Sequence, residues 1–319
     1  MKRYLITGCS GFVGRHFLEF LEKNKIRSSV KGTDIYNPDF NRKDFKYVLF
    51  DYEKANLLHR KKTERLVHEF QPDYILHLAS YSSVAFSWKK PVLSFQNNTN
   101  IYLNLLEIVK KLRLSTRILS VGSSEEYGDV GENDLPLTEE HPLKPISPYA
   151  VARVSQEFMS KVYTKGYGLD IVMTRSFNHI GPYQKDIFVI ASFVRQLVKM
   201  KYGRGDGELI TGDIEIVRDF IDVRDVVSAY HLLLDRGVSG EIYNVCSGIG
   251  ISLQDIIKTL CSLLKIEATI KVDARLIRPQ DNKMIIGSNN KLKELGWEQQ
   301  YKLEDTLKNL IKYWELRLP

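Results

Sequence analysis

The sequence has few cysteines and no long apolar run. Its three cysteines, Cys9, Cys246 and Cys261, lie far apart in 319 residues and lack the spacing of metal ligands or of a disulfide framework. We therefore predict reduced, structural thiols and no metal. No apolar stretch approaches the roughly 18 residues of a membrane span. The first predicted strand begins near residue 3, which leaves no room for a signal peptide. We expect a soluble, cytoplasmic protein without membrane association.

Repeats and low-complexity tracts are also missing, and the formal net charge is a modest +7. Basic residues are interspersed with acids, and their densest cluster, residues 59–62, lies on a predicted amphipathic helix. Such a cluster is usually a solvated helix face, so we expect no nucleic-acid partner. A modest positive field does suit an anionic nucleotide ligand.

The chain opens with a short apolar strand, a glycine-rich turn and a helix. Gly8, Gly11 and Gly14 stand three residues apart, and apolar residues at helical spacing follow them. Such a turn lets the backbone approach a pyrophosphate, while the helix N-terminus offers free N–H groups and the positive end of its dipole. The pattern predicts a dinucleotide site. Its predicted contacts here are Gly8, Ser10, Gly11, Phe12, Val13 and Gly14.

The next predicted strand, residues 29–34, ends in Asp34, twenty residues after the last of these glycines. A carboxylate there can accept hydrogen bonds from both hydroxyls of an adenosine ribose and would repel a 2′-phosphate. The pattern favours NAD(H) over NADP(H). The alternative is that Asp34 only caps a turn before Pro38. Asp51 and Tyr52 end a third strand, where we expect them near the adenine.

Short apolar strands continue to alternate with helical segments along the chain. Predicted strands cover about residues 3–7, 29–34, 47–51, 74–79, 117–121, 170–175 and 241–245. This alternation predicts an α/β fold, a doubly wound parallel sheet of the Rossmann type that binds ligands at the carboxyl ends of its strands. We assign residues 1–175 plus 219–247 to an NAD-binding domain. Residues 176–218 plus 248–319 would form a smaller α/β substrate-binding lobe.

A second candidate site lies between the fifth strand and the helix that follows it. Ser123, Ser124 and Glu125 come directly after the strand, which places them beside the predicted dinucleotide. Tyr149 and Arg153 are four residues apart on the next helix and so share one face. A cation beside a phenol favours the phenolate and makes the tyrosine a usable acid/base. Taken alone, such a pair is more often a surface contact.

Together these motifs resemble those of the extended short-chain dehydrogenases/reductases that modify nucleotide-linked sugars, over essentially the whole chain. The branch with the most similar segments contains the GDP-6-deoxy-4-keto-mannose reductases of GDP-rhamnose synthesis, followed by the GDP-mannose 4,6-dehydratases. The matching features are the glycine turn, Asp34, Asp51, residues 77–79, Asn98, residues 123–128, Tyr149 four before a base, and residues 174–182, 218–225 and 243–250.

The resemblance implies hydride transfer at C4 of a GDP-linked hexose, deoxyhexose or heptose, in the synthesis of surface polysaccharide precursors. Tyr149 would be the acid/base on the C4 oxygen, and Ser123 would orient that oxygen with Ser124 close by. The implied substrate contacts are Ser123, Glu125, Asn178, Arg218 and Arg278, the arginines as partners of the diphosphate. The implied further dinucleotide contacts are Leu78, Ala79, Asn98, Tyr149 and Arg153.

Arg153 departs from the family pattern, which has lysine at this position. Arginine keeps the positive charge but is larger, planar and never deprotonated. Stabilisation of a Tyr149 phenolate would survive the exchange, whereas a proton relay through the lysine would not. We expect a working but altered site.

Three functions remain open at this stage. The first is a 4-keto reductase or, in reverse, a C4 dehydrogenase, with a bound and recycled NAD(H) as one form of its cofactor. The second is a 4,6-dehydratase, in which Glu125 would take part in the elimination. The third is a non-catalytic subunit that binds the nucleotide sugar or NAD. The resemblance also implies a homodimer or tetramer, assembled through the helices predicted at residues 94–111 and 148–166.

Overall fold

The computed structural model describes residues 1–318, which form a large parallel sheet and a group of smaller sheets, both covered by helices. The strands are β1 (Lys2–Thr7), β2 (Ser28–Asp34), β3 (Val48–Lys54), β4 (Tyr74–His77), β5 (Arg117–Ser123), β6 (Asp170–Ser176), β7 (Asn178–Ile180), β8 (Glu208–Thr211), β9 (Val217–Asp222), β10 (Ile242–Val245), β11 (Gly250–Ser252), β12 (Thr269–Val272) and β13 (Met284–Ile285). The helices are α1 (Phe12–Lys23), α2 (Arg60–Phe70), α3 (Val84–Lys89), α4 (Pro91–Leu112), α5 (Pro148–Tyr167), α6 (Val189–Lys201), α7 (Val223–Arg236), α8 (Leu253–Leu264), α9 (Asn290–Glu294) and α10 (Leu303–Glu315).

The large sheet has seven parallel strands in the order β10-β6-β5-β4-β1-β2-β3. Successive side chains of a strand point to opposite faces, and the two faces are covered by different helices. Ile6, Leu76, Leu119 and Val172 belong to the core that contains α1 and α7 residues. Leu5, Ile75, Ile118 and Ile171 belong to the core that contains α4 and α5 residues. The prediction of a doubly wound parallel sheet is confirmed, and the carboxyl ends of its strands meet along one edge.

The rest of the chain builds two small sheets and their own core. β7, β9, β11 and β13 form one sheet, and β8 pairs with β12 in the other. Helices α6, α8 and α10 pack together through residues such as Phe193, Leu260 and Leu310. The division of the chain into two domains stays a prediction. Its boundary at residue 219 lies inside β9, which belongs to the small sheet and leads directly into α7.

Several element boundaries differ from those predicted. The pattern of residues 55–70 predicts a helix over the whole segment, but α2 begins at Arg60, because β3 continues to Lys54 through its pairing with β2. Residues 84–89 form a helix that the sequence pattern did not predict. Residues 176–182 are predicted to lead from a strand into a loop, but they also contain β7, which pairs with β9. In each case strand pairing or packing between distant segments decides the structure, and the local sequence pattern does not.

Candidate active site

The glycine turn lies between β1 and α1 and has no room for side chains at two of its positions. Gly8 has a φ of +71°, and a Cβ there would lie 2.8 Å from the backbone nitrogen of Ala79. A Cβ on Gly14 would lie 2.5 Å from the carbonyl oxygen of Cys9. Gly11 precedes α1, and no side chain of residues 1–318 caps that helix N-terminus. The N–H groups of its first turn are therefore available to an anion.

Asp34 ends β2 beside this turn. One oxygen of its carboxylate accepts from the backbone N–H of Ser10 at 3.2 Å. The other accepts from the N–H groups of Ile35 at 2.6 Å and Tyr36 at 3.2 Å. Burial raises the pKa of the Asp34 carboxyl. The hydroxyl of Tyr52 donates to the Asp34 carbonyl oxygen at 3.1 Å, which holds the strand end in place.

Asp51 is placed differently from Asp34. It lies within β3, where its largely exposed carboxylate pairs with Lys31 of the adjacent strand. That hydrogen bond lowers the pKa of the Asp51 carboxyl. The structure thus shows Asp51 as part of a cross-strand ion pair, with Tyr52 as the β3 side chain that contacts the end of β2.

The loop after β4 is tied to β1 and α4. The N–H of Leu78 donates to the Thr7 carbonyl at 3.1 Å, and the N–H of Ala79 to the Thr7 hydroxyl at 3.3 Å. Asn98 of α4 is 1 % exposed, and its amide both accepts from the Tyr81 N–H at 2.8 Å and donates to the Tyr81 carbonyl at 3.1 Å. Both ends of that amide are therefore occupied, and Asn98 acts here as a brace of the loop.

Ser123 ends β5 and is followed by a single 3₁₀ turn, Ser124–Glu126. Its hydroxyl accepts from the Glu125 N–H at 3.3 Å, and its own N–H donates to a carboxyl oxygen of Glu126 at 2.6 Å. Glu126 is fully buried, and burial, with a smaller effect from Glu157, raises the pKa of its carboxyl to about 8. These reciprocal bonds fix the backbone on which Ser123 and Ser124 are carried.

Tyr149 and Arg153 face the core on α5. The helix begins after Ser147, whose hydroxyl caps it by accepting from the Ala150 N–H at 3.1 Å, as its sequence predicts. Tyr149 is 6 % exposed and Arg153 5 % exposed, so the interpretation of a surface pair is wrong. The Nε–H of Arg153 donates to the Tyr149 phenol oxygen at 3.1 Å. A permanently charged donor thus contacts the oxygen that could carry the proton.

Two residues that contact Arg153 were missed from the sequence. Its Nη1 donates to Gln156 Oε1 at 2.7 Å, and its Nη2 donates to Ser80 Oγ at 2.6 Å. Gln156 lies three positions after Arg153 and seven after Tyr149, a helical spacing that places it on the same face. That spacing could have revealed Gln156. Ser80 is remote in sequence and carried no comparable signal.

Three of the predicted substrate residues, Glu125, Asn178 and Arg218, line one cleft. Arg278 contacts Glu125 from beside it, and Ser123 is not among the residues that line it. Arg278 donates to a Glu125 carboxylate oxygen at 3.2 Å, and the buried Arg218 pairs with Asp281. Burial lowers the pKa of the Arg218 guanidinium. Asp281 was not predicted, although it lies three residues after Arg278, within 3.5 Å of it. The cleft is lined by Ser124, Glu125, Asn178, Arg218, Asp281, Asn282 and Ile285.

The residues present fit a nicotinamide dinucleotide. The turn carries no side chain at Gly8, Gly11 or Gly14, so its backbone can pass close to a phosphate, which the uncapped first turn at Phe12 and Val13 would receive. Asp34 is held beside the turn for a ribose. Among residues 1–318, no group of three or more His, Cys, Asp or Glu side chains could hold a metal ion. No helix formed by these residues has the length and hydropathy to cross a bilayer.

Comparison with known proteins agrees with this arrangement. The family model for GDP-mannose 4,6-dehydratase matches residues 5–310. The chain is 34% identical over 318 residues to the GDP-6-deoxy-D-mannose reductase of Pseudomonas aeruginosa, covering 99% of this chain and 98% of that one. The structure of RMD from Pseudomonas aeruginosa complexed with NADPH superposes with a TM-score of 0.86 at 32% identity, covering all of both chains. A UDP-glucose 4-epimerase of Thermus thermophilus in complex with NAD superposes with a TM-score of 0.85 at 27% identity, covering 98% of each.

Proposed function

The chain belongs to the GDP-mannose 4,6-dehydratase family of nucleotide-sugar enzymes, and we propose that it is an NAD(H)-dependent oxidoreductase that transfers hydride at C4 of a GDP-linked sugar. The resemblance seen in the sequence is thereby confirmed at the level of the family. The observation that carries the proposal is the buried contact of the Arg153 guanidinium with the Tyr149 phenol, next to a turn suited to a dinucleotide.

The roles of the side chains follow from this contact. The chemistry that a bound nicotinamide supplies is transfer of a hydride to or from the sugar carbon. Tyr149 holds the proton that the C4 oxygen gains on reduction or loses on oxidation. Arg153 stabilises the phenolate that remains when Tyr149 has given up its proton. Ser123, on a backbone fixed by Glu126, donates a hydrogen bond to the same sugar oxygen.

The diphosphate of the substrate would bind in the cleft of Asn178, Arg218 and Arg278. Guanidinium groups bind phosphate oxygens through paired N–H donors, which lysine cannot copy. In the structure both arginines are paired with carboxylates, Arg218 with Asp281 and Arg278 with Glu125. A diphosphate would compete for these donors. The preference for guanine is supported by the reductase to which the chain is similar.

We propose NAD(H) as the dinucleotide because of Asp34. Its carboxylate stands at the end of β2, fixed by three backbone N–H groups. A 2′-phosphate at the adjacent ribose would meet this negative charge. The related structures contain NADPH in one case and NAD in the other, so the preference is argued from Asp34 itself.

A 4,6-dehydratase is the second candidate, and one observation favours it. Glu125 lies in the substrate cleft beside Ser124, where a carboxyl group could take part in loss of water. Its contact with Arg278 argues for the simpler hydride transfer, because the Glu125 carboxylate is already the hydrogen-bond partner of a guanidinium.

We further propose that the enzyme assembles as a homodimer or a tetramer of such dimers through α4 and α5. The two helices pack side by side and leave large apolar side chains exposed to solvent. A two-fold axis would bring the same patch of two copies together as a four-helix bundle. The exposed residues are Val92, Leu93, Phe95 and Leu103 on α4 and Val151, Phe158, Val162 and Tyr167 on α5.

The direct test is to supply the purified protein with GDP-mannose, its 4-keto-6-deoxy derivative or a GDP-heptose, with NADH or NAD, and to identify the products by mass spectrometry. A gain or loss of two hydrogens supports C4 hydride transfer and gives its direction. Loss of water makes the protein a dehydratase, and Glu125→Gln is then the next variant. Tight binding of the nucleotide sugar without turnover supports the non-catalytic alternative.

A further inference from the structure

Arg153 is enclosed by protein acceptors on every side of its guanidinium group. The Nε–H donates to the Tyr149 oxygen, Nη1 donates to the Val121 carbonyl at 3.0 Å and to Gln156, and Nη2 donates to Ser80. A guanidinium has five N–H donors in one rigid plane. Four of them thus have acceptors within this chain. Because the group is planar, fixing Nη1 and Nη2 also fixes the direction of the Nε–H toward Tyr149.

Gln156 is itself held in one orientation. Its Nε2 donates to the hydroxyl of Ser120 at 2.9 Å and to the Val121 carbonyl at 3.1 Å, which leaves Oε1 to accept from Arg153. Turning the amide over would set NH₂ against a guanidinium N–H and an oxygen against a carbonyl. Gln156 is 2 % exposed, so water does not offer an alternative partner. Gln156 Oε1 is therefore held in a fixed position, where it accepts from Arg153.

We propose that Gln156 is a positioning residue of the reaction, which together with Ser80 holds the Arg153 guanidinium in the orientation that contacts the Tyr149 phenol. This inference rests on the proposed function, in which Tyr149 is the acid/base. It explains how arginine serves at a position where the family pattern has lysine. The site is built around the guanidinium and not merely tolerant of it.

A lysine at position 153 could not donate to all the acceptors that surround the Arg153 guanidinium. An ammonium has three donors on one nitrogen, whereas the acceptors around Arg153 are distributed about three separate nitrogens. Gln156 Oε1 would be left buried without a donor, which is unfavourable. Arg153→Lys should therefore lose activity, despite restoring the residue that the family pattern has.

Burial disfavours the charged form of three ionisable groups near the pair. Burial lowers the pKa of His77, on β4, to about 3, and burial raises that of Glu126, after β5, to about 8. Burial also raises the pKa of the Tyr230 phenol on α7. Each of these groups interacts electrostatically with Arg153. The Arg153 guanidinium is the charged group that contacts the Tyr149 oxygen directly, and its orientation decides how well a phenolate is stabilised.

The test is a double-mutant cycle of Gln156→Met and Arg153→Lys, measured by kcat and KM with the 4-keto-6-deoxy derivative of GDP-mannose and NADH. Gln156→Met should lower kcat about ten- to hundredfold with little change in KM, because a small misplacement of a catalytic group has effects of this size. In the Arg153→Lys background the same substitution should have almost no further effect, since the guanidinium that Gln156 positions is gone. Ser155→Ala is the matched control. It removes a hydroxyl from the same helix whose hydrogen bond goes to the Val151 carbonyl and not to Arg153 or Gln156.

A second measurement needs neither substrate nor nicotinamide. Ultraviolet titration of the free protein, as the difference from Tyr149→Phe, follows ionisation of the Tyr149 phenol. In Gln156→Met this ionisation should move to higher pH, because the phenolate loses a well-oriented charged donor, while Ser155→Ala should leave it unchanged. If Gln156→Met does not fold, Ser80→Ala, which removes another acceptor of Arg153 from a partly exposed loop, should give the same shift.

Two outcomes would overturn the inference. One is an unchanged phenol ionisation in Gln156→Met and Ser80→Ala. The other is an equal loss of kcat from Gln156→Met with arginine or lysine at position 153, which is the result of a purely structural role. If no nucleotide sugar is turned over by the wild type, the proposed function fails, while the titration still decides the inference by itself.

Discussion

Removing the hydroxyl of Tyr149 separates its chemical role from its structural one. Tyr149→Phe deletes the proton donor and acceptor and leaves the ring in the core of the site. A positioned general acid contributes about 10²- to 10⁴-fold to a rate, which corresponds to roughly 3–5 kcal/mol of barrier. We expect kcat to fall by that factor. The dinucleotide affinity should change little, because the glycine turn and Asp34 are untouched.

The same substitution has a calculable structural cost. It leaves the Nε–H of Arg153, at a position 5 % exposed, without its acceptor. An unpartnered buried donor costs about 1–3 kcal/mol, so the variant should unfold at lower denaturant but remain folded. The measurements are kcat, dinucleotide Kd by fluorescence titration, and urea unfolding. Tyr163→Phe is the control. Tyr163 lies on α5, as Tyr149 does, and its hydroxyl donates to Glu107 of α4. A Tyr149→Phe enzyme with nearly wild-type kcat would refute the assigned role.

Three further predictions address the cofactor turn and the buried acid. Asp34→Asn should lower the ratio of kcat/KM for NADH to that for NADPH, because the charge that repels a 2′-phosphate is gone; an unchanged ratio would contradict the preference. Gly14→Ala should weaken dinucleotide binding and lower the free energy of unfolding, since its Cβ would lie 2.5 Å from a backbone oxygen. Gly166→Ala is the control: its Cβ would meet open space, so it should neither weaken binding nor lower that free energy. The folded-state pKa of Glu126 is raised from 4.5 to about 8, so the stability from its neutral form is complete below pH 4.5 and is lost as pH rises to about 8. The free energy of unfolding of Glu126→Gln, measured with urea, should change less over that pH range than that of the wild type. An equal change in both proteins would contradict this prediction.

The parts of the site that depend on local backbone geometry could be predicted from the sequence. The glycine spacing indicated the turn, because a Cβ at Gly8 or Gly14 would meet backbone, and nothing distant changes that requirement. Ser147 and Asp222, each directly before a helical segment, likewise indicate helix caps from local sequence, and both accept N–H bonds from the first turn. The order of apolar strands and helices gave the parallel sheet for the same reason.

The parts that depend on pairing between distant segments could not be predicted in this way. Asp51 pairs with Lys31 across two strands, a contact set by register that no local pattern reveals. Both ends of the Asn98 amide bond the backbone of Tyr81. This contact depends on the packing of α4 against the loop and cannot be predicted from the helix sequence alone. The burial of Arg153 depends on β5 and on the loop after β4, and the helical pattern alone suggested a surface position.

The most direct test of the central claim follows a labelled hydride. The enzyme is incubated with the 4-keto-6-deoxy derivative of GDP-mannose and NADH that carries deuterium at the transferable position of the nicotinamide. The account predicts a product with deuterium at C4 of the sugar and one exchangeable proton on its oxygen, formed about 10²- to 10⁴-fold more slowly by Tyr149→Phe. A product without deuterium at C4, or tight binding with no product at all, would contradict it.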